Sequence, residues 1–147
     1  MQYSFQIVLF CVALFTAQLS IASLPEPLDP RVVAEFSFED RIKNSKDLLE
    51  KMQKATVDER SAYRQKLRQK FEDLEPQERK ELHQKMRANW DSLTNAQKDI
   101  IKAQRQAMLQ FLTPNEKEEI LKERKKWLRN MPEDERKKWK EKFSGDK

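Results

Sequence analysis

The sequence predicts an all-α protein of five or six short amphipathic helices, and three observations lead there. One small design recurs six times at intervals of 19 residues. Most copies begin with residues that start helices. Gly145 is the only glycine, which argues against β-hairpins and Gly-rich phosphate loops, since both rely on positive φ.

The repeated unit is an apolar residue, a helix-starting residue, two variable positions, an acid or amide, then a base. It reads Phe36-Ser37-x-x-Asp40-Arg41, Ala55-Thr56-x-x-Glu59-Arg60 and Leu74-Glu75-x-x-Glu78-Arg79. It continues as Leu93-Thr94-x-x-Gln97-Lys98, Leu112-Thr113-x-x-Glu116-Lys117 and Met131-Pro132-x-x-Glu135-Arg136. A fixed period of this size indicates one supersecondary unit copied along the chain.

Residues 1–23 stand apart from the fold. An apolar run over 7–15 leads to Ser20-Ile21-Ala22, the pattern of a secretory signal peptide cleaved near Ala22 or Ser23. That run is too short for a membrane span, which needs about 20 apolar residues. The chain is therefore expected to be secreted, with no membrane span. Cys11 lies in the signal, so packing, association or a ligand must hold the mature chain together without disulfides. The 30 Lys and Arg and 25 Asp and Glu give a net charge of +5 and are interspersed nearly everywhere, as on solvated helix faces.

Residues 24–36 read as an extended, proline-rich leader, because each proline biases its predecessor away from the α region. The helical repeats are expected over 37–143, with a tail at 144–147. Thr56 with Glu59, Thr94 with Gln97, and Thr113 with Glu116 are predicted capping boxes, and Ser37 with Asp40 is a close variant. Pro76 and Pro114 follow their caps by one residue, where a missing N–H is tolerated. Glu75 and Pro132 are poorer caps.

Behind each cap, apolar residues recur at helical spacing: Tyr63, Leu67, Phe71 and Leu74, then Leu82, Met86, Trp90 and Leu93. Each set falls within one helix face and is expected to be buried. Repeats four and five place Arg105 and Arg124 on that stripe, with Met108 and Trp127 one turn later. A single straight rod is excluded. Nineteen residues make five turns plus about 100°, so the apolar stripe would spiral away. Tight Leu-Thr and Pro turns must redirect the chain, into a closed bundle or an open curved array.

Leu93-Thr94-Asn95-Ala96-Gln97-Lys98 and Leu112-Thr113-Pro114-Asn115-Glu116-Lys117 resemble the paired LTxxQ motifs of the Spy/CpxP type of secreted helical proteins. The likeness covers about residues 90–130, with Glu116 standing where the second motif has glutamine. The resemblance implies short helices, dimerisation into a cradle, and ATP-independent holding of unfolded clients. Capped helices in a short-turn array would want the same residues.

Trp90, Trp127 and Trp139 lie on or beside the stripes, where core packing is expected and an aromatic client surface is the alternative. With Arg105, Arg124, Lys125 and Lys126 they make up the candidate binding residues. Lys122-Glu123-Arg124-Lys125-Lys126 and Arg136-Lys137-Lys138-Trp139-Lys140 are the densest basic stretches, better suited to anionic surfaces than to nucleic acid. Catalysis has almost no support, because His83 is the sole histidine and no thiol accompanies it. No cofactor and no metal are expected.

The sequence thus favours a secreted, non-enzymatic scaffold that binds proteins or itself, chaperone-like in its leading form. The other reading is an extracellular effector of defence or reproduction acting on cell or microbial surfaces. It draws on the uncharged leading segment and the basic carboxyl-terminal helices.

Overall fold

The computed structural model describes residues 24–134 and 136–138. Over that range the chain is helical, and no strand occurs among the described residues. The helices are α1 (Pro30–Ala34), α2 (Phe38–Lys54), α3 (Val57–Glu72), α4 (Pro76–Asp91), α5 (Asn95–Gln110) and α6 (Pro114–Asn130). Residues 133–134 and 136–138 are helical again, with the Arg136 N–H donating to the Pro132 carbonyl at 2.9 Å. Each helix from α2 to α6 fills one repeat.

The caps form where the sequence places them. Thr56, Thr94 and Thr113 each accept the N–H three residues on, and the side chain at that position accepts the cap's own N–H in return. For Thr94 and Gln97 these distances are 3.2 and 3.0 Å. Ser37 is half a box: its hydroxyl accepts the Asp40 N–H and donates to the Asp40 carboxylate. At the weaker Glu75 joint, the Glu78 carboxylate still accepts the Glu75 N–H at 3.0 Å. Each cap is extended, and no described residue has positive φ. Such joints need no glycine.

The leader departs from the extended reading. Asp29 is extended, as a residue before proline should be, but its carboxylate accepts the Arg31 N–H at 2.8 Å and caps α1. Pro30 then takes the first helical position, where its ring is already set for the helix.

Burial also departs from a continuous buried stripe. Ala55, Leu74, Leu112 and Met131, the apolar residues just before four of the caps, are buried. On the α4 stripe Leu82 is buried, Trp90 is half-buried, and Met86 is 47% exposed. Much of the core therefore sits at the joints, because the chain folds back there and each helix end covers the residue that leads into it.

Each of the first three helices meets the third one after it. α1 lies on α4, where Ala34, Leu74 and Leu82 form an apolar cluster with Phe71 beside it. Asn89 Nδ2 donates to the Ala34 carbonyl at 2.8 Å, and Arg31 pairs with Glu78 at 3.0 Å. α2 lies on α5. Charged pairs join α3 to α6: Arg60 to Glu116, Arg64 to Glu119 and Arg68 to Glu123, in ascending order along both helices. Partners three helices apart, parallel in the α1–α4 and α3–α6 pairs, describe a coil with three helices per turn. That arrangement is the open array of the two alternatives, with contacts passed from one turn to the next.

Candidate functional site

The motif's base acquires a structural role at Arg60. It occupies the fourth helical position of α3, where an apolar residue would close a hydrophobic staple on the residue before the cap. Here Arg60 Nη1 donates to the carbonyl of that residue, Ala55, at 2.6 Å. The rest of the guanidinium spans to the next turn of the coil. Nε and Nη2 donate to the two Glu116 carboxylate oxygens at 2.8 and 2.9 Å, and the Phe111 ring lies 5.6 Å away.

Glu116 is 2% exposed, yet its oxygens are well supplied with donors. Besides Arg60 it accepts from Arg64 at 3.1 Å and from the Thr113 N–H at 2.9 Å. The hydrogen bond from Arg60 leads in holding its carboxyl far below the usual carboxylate range, with Thr113 and Arg64 adding to it against the opposing effect of burial. The same pairing raises the Arg60 pKa. A buried pair earns little over apolar residues of equal volume, but losing one partner strands the other. This node sets register between α3 and α6.

One repeat earlier the sequence lacks the corresponding acid. Arg60 and Glu116 are 56 residues apart, and the same step from Arg41 reaches Gln97. Gln97 closes the Thr94 capping box as well as a glutamate would, but it carries no charge. The Arg41 Nε is buried without a hydrogen-bond partner. Nearby, Gln104 Nε2 donates to the Ile42 carbonyl at 3.4 Å, which places Arg105 at the α2–α5 crossing. Arg105 is exposed to water, yet surrounding protein, then Arg124 and Arg41, push its pKa down. Its guanidinium lies 5.5 Å from the Trp90 ring, which Lys98 also approaches at 5.9 Å.

The family profile described as "Protein of unknown function (DUF3106)" matches residues 40–141. The chain belongs to the DUF3106 family. No curated protein and no solved structure matches it. The DUF3106 span begins in the first turn of α2 and so takes in α2–α6 and both arginine positions, while α1 precedes it.

Within the DUF3106 span the candidate residues fall into separate groups. Arg105 lies over Trp90, and Arg124 is exposed on α6. Trp127 stands apart at 36% exposure, edge-on to His83 across α4 and α6 at 5.5 Å. Lys125 and Lys126 are exposed on α6. Trp139 lies outside the described residues. Arg41, Arg60 and Glu116 were missed as a set, although the recurring acid–base step at the third and fourth helical positions was their signal. No group of three or more His, Cys, Asp or Glu able to hold a metal occurs among the described residues. No described helix is long and apolar enough to cross a membrane.

Proposed function

We infer that the protein is a secreted, non-enzymatic helical scaffold that binds other proteins, holding partly unfolded clients as a chaperone does. One observation carries the reading. Large apolar side chains stand open to water along α4–α6: Met86, Ile100 at 46%, Leu109 at 43% and Leu121 at 55%. Scattered apolar exposure is ordinary on any protein surface. Here it occurs on helices whose buried apolar residues gather largely at the joints, so apolar positions along the helix bodies are left over for a partner. Charged residues between them keep such a surface soluble and suit it to loose, reversible contact with varied sequences. The LTxxQ-like pair at Leu93–Gln97 and Leu112–Glu116 supports the same reading by its likeness to client-holding helical proteins.

The test is an aggregation assay with a thermally unfolding client. Stoichiometric amounts should suppress light scattering without ATP, and replacing Ile100, Leu109 and Leu121 together with glutamine should remove the suppression while preserving helix content. No suppression at stoichiometric amounts rejects the reading.

A further inference from the structure

The helices from α2 to α6 share a receiving face, made by the third, sixth, seventh and tenth residues after each cap. On α6 it holds Glu116, Glu119 and Glu123, which take Arg60, Arg64 and Arg68 of α3. On α4 Glu78 takes Arg31, Leu82 clusters with Ala34, and Lys85 pairs with Glu35. On α5 Ile101 is buried, and Gln104 donates to the Ile42 carbonyl. α3 has no helix three before it, yet its face is occupied too. Leu24 and Pro25 of the leader line a groove with Glu59, Ala62, Tyr63 and Lys66, and Glu26 pairs with Lys66 at 2.9 Å.

α2 is the exception. The same positions, Asp40, Lys43, Asn44 and Asp47, line a groove with Phe36, and no other described residue lines it. Asp40, Lys43 and Asp47 are exposed, and Phe36 is half-buried. Asp40 and Asp47 are spaced along their helix as Glu116 and Glu123 are on α6, where Arg60 and Arg68 meet the acids.

The last full helix carries a surface that matches. Arg60, Arg64 and Arg68 are the fourth, eighth and twelfth residues after their cap, and on α6 those positions are Lys117, Leu121 and Lys125. All three are exposed. On α4 and α5 the equivalent positions are partly engaged, since His83 meets Trp127 edge-on and Lys98 approaches Trp90. Charge also selects α6. Its two lysines bracket a leucine, and the two aspartates of the groove bracket Lys43 and Asn44, whereas α5 would bring Lys102 to the same groove.

We propose that the α2 groove binds the Lys117, Leu121 and Lys125 face of α6 from a second copy of this chain. The lysines meet the aspartates, and Leu121 and Phe36 leave water together. Exposed ion pairs are individually weak, so apolar burial supplies most of the affinity and the charges set the orientation. Different surfaces of the two copies meet, which makes the contact heterologous. It stands apart from client holding, because neither Asp47 nor Lys125 is among the apolar residues which that reading uses.

Sedimentation equilibrium of the full mature chain tests the contact. Average mass should rise with concentration. Asp47→Lys and Lys125→Glu should each weaken association by about tenfold or more. An equimolar mixture of the two should regain it, because each variant keeps the face that the other has lost; damage to the fold would not be cured by mixing. Asp47→Asn gives the same reading, with a smaller loss, if Asp47→Lys folds poorly. Lys126→Glu, on α6 but off that face, should change association by less than about twofold. A monomer at every concentration, a mixture no stronger than its parts, or an equal loss from Lys126→Glu overturns the proposal.

Discussion

Arg60 and Glu116, 56 residues apart in sequence, meet in a buried two-point ion pair at 2.8 and 2.9 Å. The pair uses the motif's base, which the capping pattern alone leaves without a role. The acid of the fifth repeat closes its own capping box and also receives the base of the second. Local helix initiation and long-range register are thereby the work of the same carboxylate.

Removing that carboxylate's charge should be severe. Glu116→Gln leaves the Arg60 guanidinium buried without its counterion, and about 3–5 kcal/mol of stability should be lost. Glu119→Gln, whose side chain is mostly exposed and 3.6 Å from Arg64, should stay within about 0.5 kcal/mol. Urea denaturation of the two variants makes the comparison.

The same node predicts how stability follows pH. Hydrogen bonds from Arg60 hold the folded Glu116 pKa far below its ordinary value of 4.5. Between the two values the unfolded chain binds the proton and the folded chain does not, so stability falls as acid is added. The contribution should be complete above about pH 5.5 and decline steadily as pH drops below 4.5. Glu116→Gln should flatten that part of the profile, measured by melting temperature against pH.

The caps were legible in the sequence because their chemistry is local. A threonine oxygen and an acid or amide three residues later satisfy each other within one turn, so Thr56, Thr94 and Thr113 announced the starts of α3, α5 and α6. Pairing was not legible. Nothing local tells Arg60 that its partner lies three repeats away, since every repeat carries a base at that position and most carry an acid beside it. The stripe misled for a related reason: periodicity marks an apolar face, but the coil covers chiefly the ends, leaving Met86 in water. Arg105 and Arg124 stood out as breaks in the stripe, yet nothing in the sequence showed that Arg105 would lie over the Trp90 ring. In the leader, the prolines spoke for extension while Asp29 capped a helical turn.

A single cap should be worth a measurable but smaller amount. Thr94→Ala removes the oxygen that accepts the Gln97 N–H at 3.2 Å, and about 0.5–2 kcal/mol should be lost. Circular dichroism should show a mostly helical spectrum before and after, with only the midpoint shifted.

The incomplete node offers a change in the opposite direction. Gln97→Glu supplies the carboxylate that faces Arg41 by analogy with Glu116, while keeping the Thr94 capping box. Stability should rise by on the order of 1 kcal/mol, the scale of one net intramolecular hydrogen bond. An unchanged or lower melting temperature would show that the two nodes are not equivalent.

The central claim is that each of the first three helices meets the third one after it, and a double-mutant cycle on Arg60 and Glu116 tests it most directly. Arg60→Ala, Glu116→Ala and the pair are compared by equilibrium unfolding at pH 7. Contact across the coil predicts that the double variant loses less than the sum of the single losses, with a coupling of about 0.5–3 kcal/mol. Losses that add to within about 0.3–0.5 kcal/mol would mean the two residues do not meet, and would contradict the three-helix coil.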